Sequence, residues 1–93
     1  MPRQIIVKRR FDIAYARLSK SDKPIVAAAL HSFGRYLETG HAAPGLGVTR
    51  LGSQTYEFRA GLAMRVVYIS QQDKIVLSLL GSHDEVRRFL KNQ

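Results

Sequence analysis

The 93-residue chain contains no cysteine. Without thiols there are no disulfides, thiolate metal ligands or cysteine nucleophiles, and a disulfide-stapled secreted domain does not fit. No apolar stretch approaches the length of a membrane span, and Met1-Pro2-Arg3 is not followed by a signal-peptide core. A cytoplasmic protein of a reducing compartment, without membrane association, is therefore expected. Acidic residues are also scarce. Seven Asp and Glu stand against fifteen Lys and Arg, giving a net charge of +8. On so short a chain, that field favours a polyanion or an acidic protein as partner.

What is present is an ordinary globular composition, 45% hydrophobic and 24% charged, which argues against disorder. The length suits one domain spanning residues 1–93. Arginine outnumbers lysine ten to five, and the guanidinium fork suits bidentate phosphate contacts.

Periodicity divides the chain into two halves. Gln4 to Lys8 is a β-branched run suited to a first strand. Phe11, Ala14, Tyr15 and Leu18 then recur at helical spacing, predicting a short helix over about 11–19. Ser21 and Asp22 offer caps and Pro24 suits a first turn. Val26, Leu30, Phe33 and Leu37 form an apolar stripe that ends at Gly40. After a loop at 41–47, short runs at strand period cover Val48–Leu51, Tyr56–Arg59, Met64–Ser70 and Lys74–Leu80. Ser82 with Glu85 fits a capping box opening a final helix. The order β-α-α-β-β-β-β-α predicts an α+β fold, with a helical hairpin packed on a twisted, mainly antiparallel sheet. Its core is expected from Val26, Leu30, Phe33, Leu37, Phe58, Val66, Tyr68, Ile75, Leu77 and Leu79. The opposite face is expected to be partly open to solvent.

The residues suited to chemistry lie between Tyr56 and Leu90. A three-residue loop, Gly61 to Ala63, would set Arg59 opposite Arg65 on one sheet face, whereas a two-residue loop would separate them. Opposed like charges are unfavourable unless an anion lies between them. That anion could be a phosphate, or it could be Glu57 on the same face. A solvated surface with a local Glu57–Arg59 pair is the plainer alternative. His83 falls in the first turn of the final helix, where backbone N–H groups and the helix dipole favour an anion and an imidazole can move a proton. His31 and His41 have no such setting. No His, Asp and Glu spacing suits a metal, and no Gly-rich phosphate loop or Gly-x-Ser-x-Gly elbow occurs. Lys8-Arg9-Arg10 and Arg87-Arg88 with Lys91 suit general electrostatic attraction to a polyanionic substrate. Arg50 is a further candidate for the Arg59 and Arg65 face.

The order of elements, with Leu46-Gly47…Arg50-Leu51, Tyr56-Glu57-Phe58-Arg59, Arg65-Val66-Val67-Tyr68 and Gly81-Ser82-His83-Asp84-Glu85-Val86, resembles the RelE/ParE superfamily of bacterial type II toxins. The resemblance implies one of two activities. RelE-like members are ribosome-dependent mRNA endonucleases that use no metal or cofactor and activate the message's own 2′-hydroxyl. ParE-like members poison DNA gyrase. It also implies a co-encoded acidic antitoxin as partner, with the ribosome and its mRNA as target. In the RNase branch, Arg65 matches an arginine that contacts the scissile phosphate and His83 a catalytic Arg or His. Phe89 is the nearest counterpart of a terminal aromatic residue that stacks on a base or acts in proton transfer, although it also fits the apolar stripe of the last helix, where a core role is the plainer reading. The chain departs from the pattern where Thr55 and Glu57 replace lysines, and where Phe89 lacks a hydroxyl. Proton transfer would then fall to His83 and Glu57, with Arg59 and Arg65 holding charge on the phosphorane. The expectation is a translation-inhibiting RelE-like toxin. A gyrase inhibitor, or a catalytically decayed homologue that still binds its antitoxin, is the alternative.

Overall fold

The computed structural model describes residues 3–92. Met1 and Pro2, where a leader was sought, lie outside them, as does Gln93. The chain runs β1 (Gln4–Val7), α1 (Arg9–Ala16), α2 (Asp22–Thr39), β2 (Thr49–Arg50), β3 (Thr55–Ala60), β4 (Met64–Ser70), β5 (Lys74–Ser82) and α3 (His83–Lys91). This is the predicted α+β order. No helix among the described residues is long and apolar enough to cross a membrane.

α1 begins and ends earlier than its apolar spacing predicts. Lys8 is extended, and its carbonyl accepts the N–H groups of Phe11 and Asp12, so the first turn starts at Arg9. α2 is capped by Ser19, whose Oγ accepts the Asp22 N–H at 3.1 Å. Ser21, the expected cap, is itself helical and makes no capping bond. The far end closes as predicted, with Gly40 left-handed at φ 77° and its N–H donating to the Tyr36 carbonyl at 2.8 Å.

The five strands lie in the order β1-β5-β4-β3-β2, with β1 parallel to β5 and every other pair antiparallel. The main core lies between the sheet and the α1–α2 hairpin. At its centre the Phe33 ring stacks on Phe58 at 4.4 Å and tilts against Tyr68 at 4.6 Å, and Tyr56 stacks on Tyr68 at 5.4 Å. Leu30 and Leu37 pack at its margin, as expected of the α2 stripe.

One core assignment changes. The β4–β5 ladder pairs Val67 with Leu79 and then Tyr68 with Leu77, leaving Ser78 as the extra residue of a β-bulge. The bulge inverts the side-chain phase. Ile75 and Leu77 face the main core, but beyond the bulge that place goes to Leu80 and not to Leu79. Leu79 turns to the second face of the sheet.

That second face is less open than predicted. Val67 is fully buried and Val76 nearly so, yet both lie outside the main core. α3 lies against β5 and β4 and buries its own Val86. A Cβ added to Gly81 would meet the Glu85 Cβ at 3.0 Å, so the first turn of α3 crosses directly over Gly81. The capping box of α3 forms as predicted: Ser82 Oγ accepts the Glu85 N–H at 3.2 Å, and the Ser82 N–H donates to Glu85 Oε1 at 3.0 Å.

Candidate phosphate-binding face

The β3–β4 turn is the three-residue loop Gly61 to Ala63, with Gly61 at φ 84°. Its length pairs Ala60 with Met64 and therefore sets Arg59 directly opposite Arg65. Both side chains belong to the second face, because the next pair, Phe58 and Val66, is in the main core. Glu57 pairs with Val67 and shares that face. Its Oε2 lies 3.3 Å from Arg65 Nη1, with the two side chains only 13% and 22% exposed. The carboxylate thus neutralises the arginine diagonal to it and leaves the one on its own strand.

Arg59 is exposed, and among the described residues its guanidinium has no hydrogen bond or ion pair. Its position is nonetheless set. The Arg59 N–H donates to the Leu46 carbonyl at 2.8 Å, and its stem lies along Gly47. There a Cβ would approach Cδ to 3.3 Å, and φ is 59°. Leu46 is buried in the main core and ties down the 41–47 loop. The Gly-Ala-Pro composition identified a loop but did not show that it braces Arg59. The Leu46-Gly47 pair was the available signal.

On β5, Gly81 faces Arg65, and His83 follows after Ser82 as the first residue of α3. The ladder therefore brings His83 to the end of β5, two residues past the one that pairs with Arg65. The imidazole is exposed and makes no hydrogen bond among the described residues. Glu57 and Arg59 of β3 and Arg65 of β4 thus share one end of the second face, and α3 begins with His83 at the neighbouring end of β5. Asp84 and Glu85 add negative charge in the first turn of α3, where the helix dipole favours it.

Arg50 does not belong to this group. It pairs with Tyr56, whose ring packs on the main core, so the two-residue alternation puts Arg50 on the other face. Its guanidinium turns back onto its own loop, donating to the carbonyls of Gly52 at 2.8 Å and Ser53 at 3.3 Å. Of the other basic candidates, Lys8, Arg9, Arg87 and Arg88 are exposed. Their two clusters, distant in sequence, meet through Arg10 and Phe89: the Arg10 guanidinium carbon lies 4.6 Å from the Phe89 ring centre. Phe89 is half-buried, with one ring face taken by that cation.

Burial pushes the Tyr68 phenol well above the ordinary range, and Tyr36 and Tyr56 add to the effect. It stays protonated and belongs to the core. Among the described residues no group of three His, Asp or Glu side chains could hold a metal ion.

No protein-family model matches the chain, and no curated protein matches it in sequence. Solved structures do match it in fold. The E. coli DinJ-YafQ toxin-antitoxin complex contains a chain that superposes with a TM-score of 0.72 at 13% identity, covering 92% of this chain and 98% of that one. The YoeB dimer from Staphylococcus aureus gives 0.69 at 14% identity, covering 89% and 99%. The archaeal RelE-RelB complex from Pyrococcus horikoshii OT3 gives 0.66 at 17% identity, covering 88% and 96%. Element order, mixed sheet and these near-complete superpositions agree, and the fold of this chain is the RelE-like fold.

Proposed function

We propose that this chain is the toxin of a type II toxin-antitoxin pair and that it inhibits translation by cleaving mRNA on the ribosome. The observation that carries the proposal is the arginine pair. Among the described residues Arg59 is an exposed cation without a partner, directly opposite Arg65, whose charge only Glu57 meets. A phosphodiester between the two arginines would relieve the like-charge opposition and draw Arg65 away from Glu57.

The chemistry then needs only side chains already on this face. Glu57, freed from Arg65, takes the proton of the ribose 2′-hydroxyl. The 2′-oxygen attacks the adjacent phosphorus and forms the new P–O bond, while the bond from phosphorus to the 5′-oxygen breaks. Protonated His83 supplies the proton to that leaving oxygen, so the products are a 2′,3′-cyclic phosphate and a 5′-hydroxyl end. Arg59 and Arg65 hold the charge that accumulates on the phosphorane. The exposed basic residues Lys8, Arg9, Arg87 and Arg88, within a net charge of +8, supply non-specific attraction to ribosomal and messenger RNA. This activity places the protein in the cytoplasm. An acidic antitoxin encoded beside it would oppose the same positive field.

The test is to add purified protein to translating ribosomes and map the message by primer extension. Discrete cuts that disappear in Arg65→Ala and His83→Ala support both the activity and the site. Cuts of equal strength in these variants would overturn the site. An uncut message together with inhibited gyrase supercoiling would replace the reading with gyrase poisoning. Inertness in both assays would indicate a homologue that has kept only antitoxin binding.

A further inference from the structure

We infer that Arg10 is a positioning residue that fixes α3, and with it His83, relative to Arg65. The inference rests on the cleavage reading above for its catalytic part. The pairing of β1 with β5 ends at Val7 and Leu77, where the Lys8 N–H donates to the Leu77 carbonyl at 3.0 Å. Just beyond lies the bulge residue Ser78, whose side chain is buried. Its carbonyl accepts Arg10 Nε at 2.7 Å, in a hydrogen bond spanning 68 positions of sequence. The same guanidinium lies over the Phe89 ring at 4.6 Å. One side chain from α1 therefore joins the β5 bulge to the last turns of α3.

α3 is nine residues long and behaves as a short rigid rod. The Ser82–Glu85 capping box holds its start and buried Val86 holds its middle. Those two anchors are close together and leave the rod free to pivot. Phe89 under Arg10 is the third anchor, at the far end, and it removes the pivot. His83 lies within the held first turn, so a change of helix angle turns its side chain about that point, and the angle held by Arg10 therefore sets how the imidazole is aimed relative to Arg65. The geometry is selective because Arg10 uses both the edge and the face of a planar group, which a lysine ammonium does not reproduce.

The test combines a measurement independent of activity with one that depends on it, both on the full-length protein. In Arg10→Ala, amide hydrogen exchange over 84–90 is expected to quicken about tenfold, while α2 and β4 keep their protection. The His83 ring resonances should shift as well. Unchanged α3 exchange and unchanged His83 signals would overturn the inference whatever the activity. On ribosomes carrying a cleavable message, Arg10→Ala is expected to lower the cleavage rate at saturation about tenfold, with half-saturation changed less than about twofold. Arg10→Lys should restore only a minor part of that rate. The double variant Arg10→Ala, His83→Ala should cleave no slower than His83→Ala alone, since the two residues act through one position. Additive losses, or a loss confined to half-saturation, would make Arg10 an RNA contact and overturn the positioning role. Phe89→Leu, which removes the ring face but leaves an apolar side chain, should reproduce both effects if Arg10→Ala folds poorly. If wild-type protein leaves the message intact, the proposed cleavage fails, and the exchange and resonance results still decide what Arg10 does.

Discussion

Arg59 and Arg65 face each other across the β3–β4 ladder, and among the described residues only Arg65 has a carboxylate, Glu57 at 3.3 Å. The two arginines are therefore different in kind. Arg65 is half-buried and internally compensated, whereas Arg59 is an open cation held in place by its stem. Replacing each should have different effects on stability. Arg59→Ala is expected to leave chemical stability unchanged within about 0.5 kcal/mol, as for exposed substitutions. Arg65→Ala strands the Glu57 carboxylate and should cost about 1–2 kcal/mol. Message cleavage should fall in both, by about a hundredfold or more for loss of a charge-stabilising donor. Urea denaturation and single-turnover cleavage on ribosomes measure the two quantities. Equal stability losses would mean that Glu57 does not discriminate between the arginines.

Glu57→Gln keeps the shape of the side chain and removes its charge. Arg65 is then free, so binding of a short, non-cleavable RNA should tighten several-fold, about 1 kcal/mol, as for a single charge-assisted contact. Cleavage should nonetheless fall, because the proton acceptor is gone. Fluorescence anisotropy and primer extension read the two effects. If binding and cleavage move in the same direction, Glu57 is only a counter-ion or only a base.

The bulge at Ser78 gives neighbouring leucines different environments. Leu80 is 3% exposed in the main core, while Leu79 is half-buried on the second face. Leu80→Ala should cost about 2–5 kcal/mol, in the range of core cavities, and Leu79→Ala distinctly less. Thermal or urea unfolding of the two variants decides the phase of β5. A reversed order would return β5 to the regular alternation expected from its sequence.

Tyr68 gives a pH dependence with a definite sign. Its folded-state phenol titrates above the ordinary value, chiefly through burial. The unfolded chain therefore ionises first, at about pH 10, and binds fewer protons than the native state above that point. Stability contributed by neutral Tyr68 is complete below about pH 10 and is lost as pH rises from there toward the folded value. Tyr68→Phe should flatten this alkaline loss. Urea midpoints at neutral pH and above pH 10, compared between the two proteins, test it; parallel declines would exclude Tyr68 as a cause.

Much of this molecule was legible in its residues because the signals are local. Gly40 after the α2 stripe and Ser82 three positions before Glu85 are short-range signals, and each behaves as expected. The loop length alone determined that Arg59 meets Arg65, because side-chain direction on a strand depends only on register. Leu79 was assigned to the wrong face for the same reason in reverse, because the bulge at Ser78 changes the phase without a mark in the apolar pattern. Arg50, a further candidate for the Arg59 face, pairs with Tyr56 and lies on the other one.

Sequence by itself thus determined the charge, the element order and the candidate groups for a phosphate, and it tied the hairpin register to a loop length that it left open. Tertiary structure decided which of those groups are free. Glu57 takes Arg65 and leaves Arg59 open, Arg50 turns back on its own loop, α3 folds over Gly81, and Arg10 reaches Ser78 and Phe89. The physical reason is range. A helix stripe or turn is encoded within a few neighbouring residues. A salt bridge across strands, or a contact between α1 and α3, depends on how the whole sheet brings distant residues together.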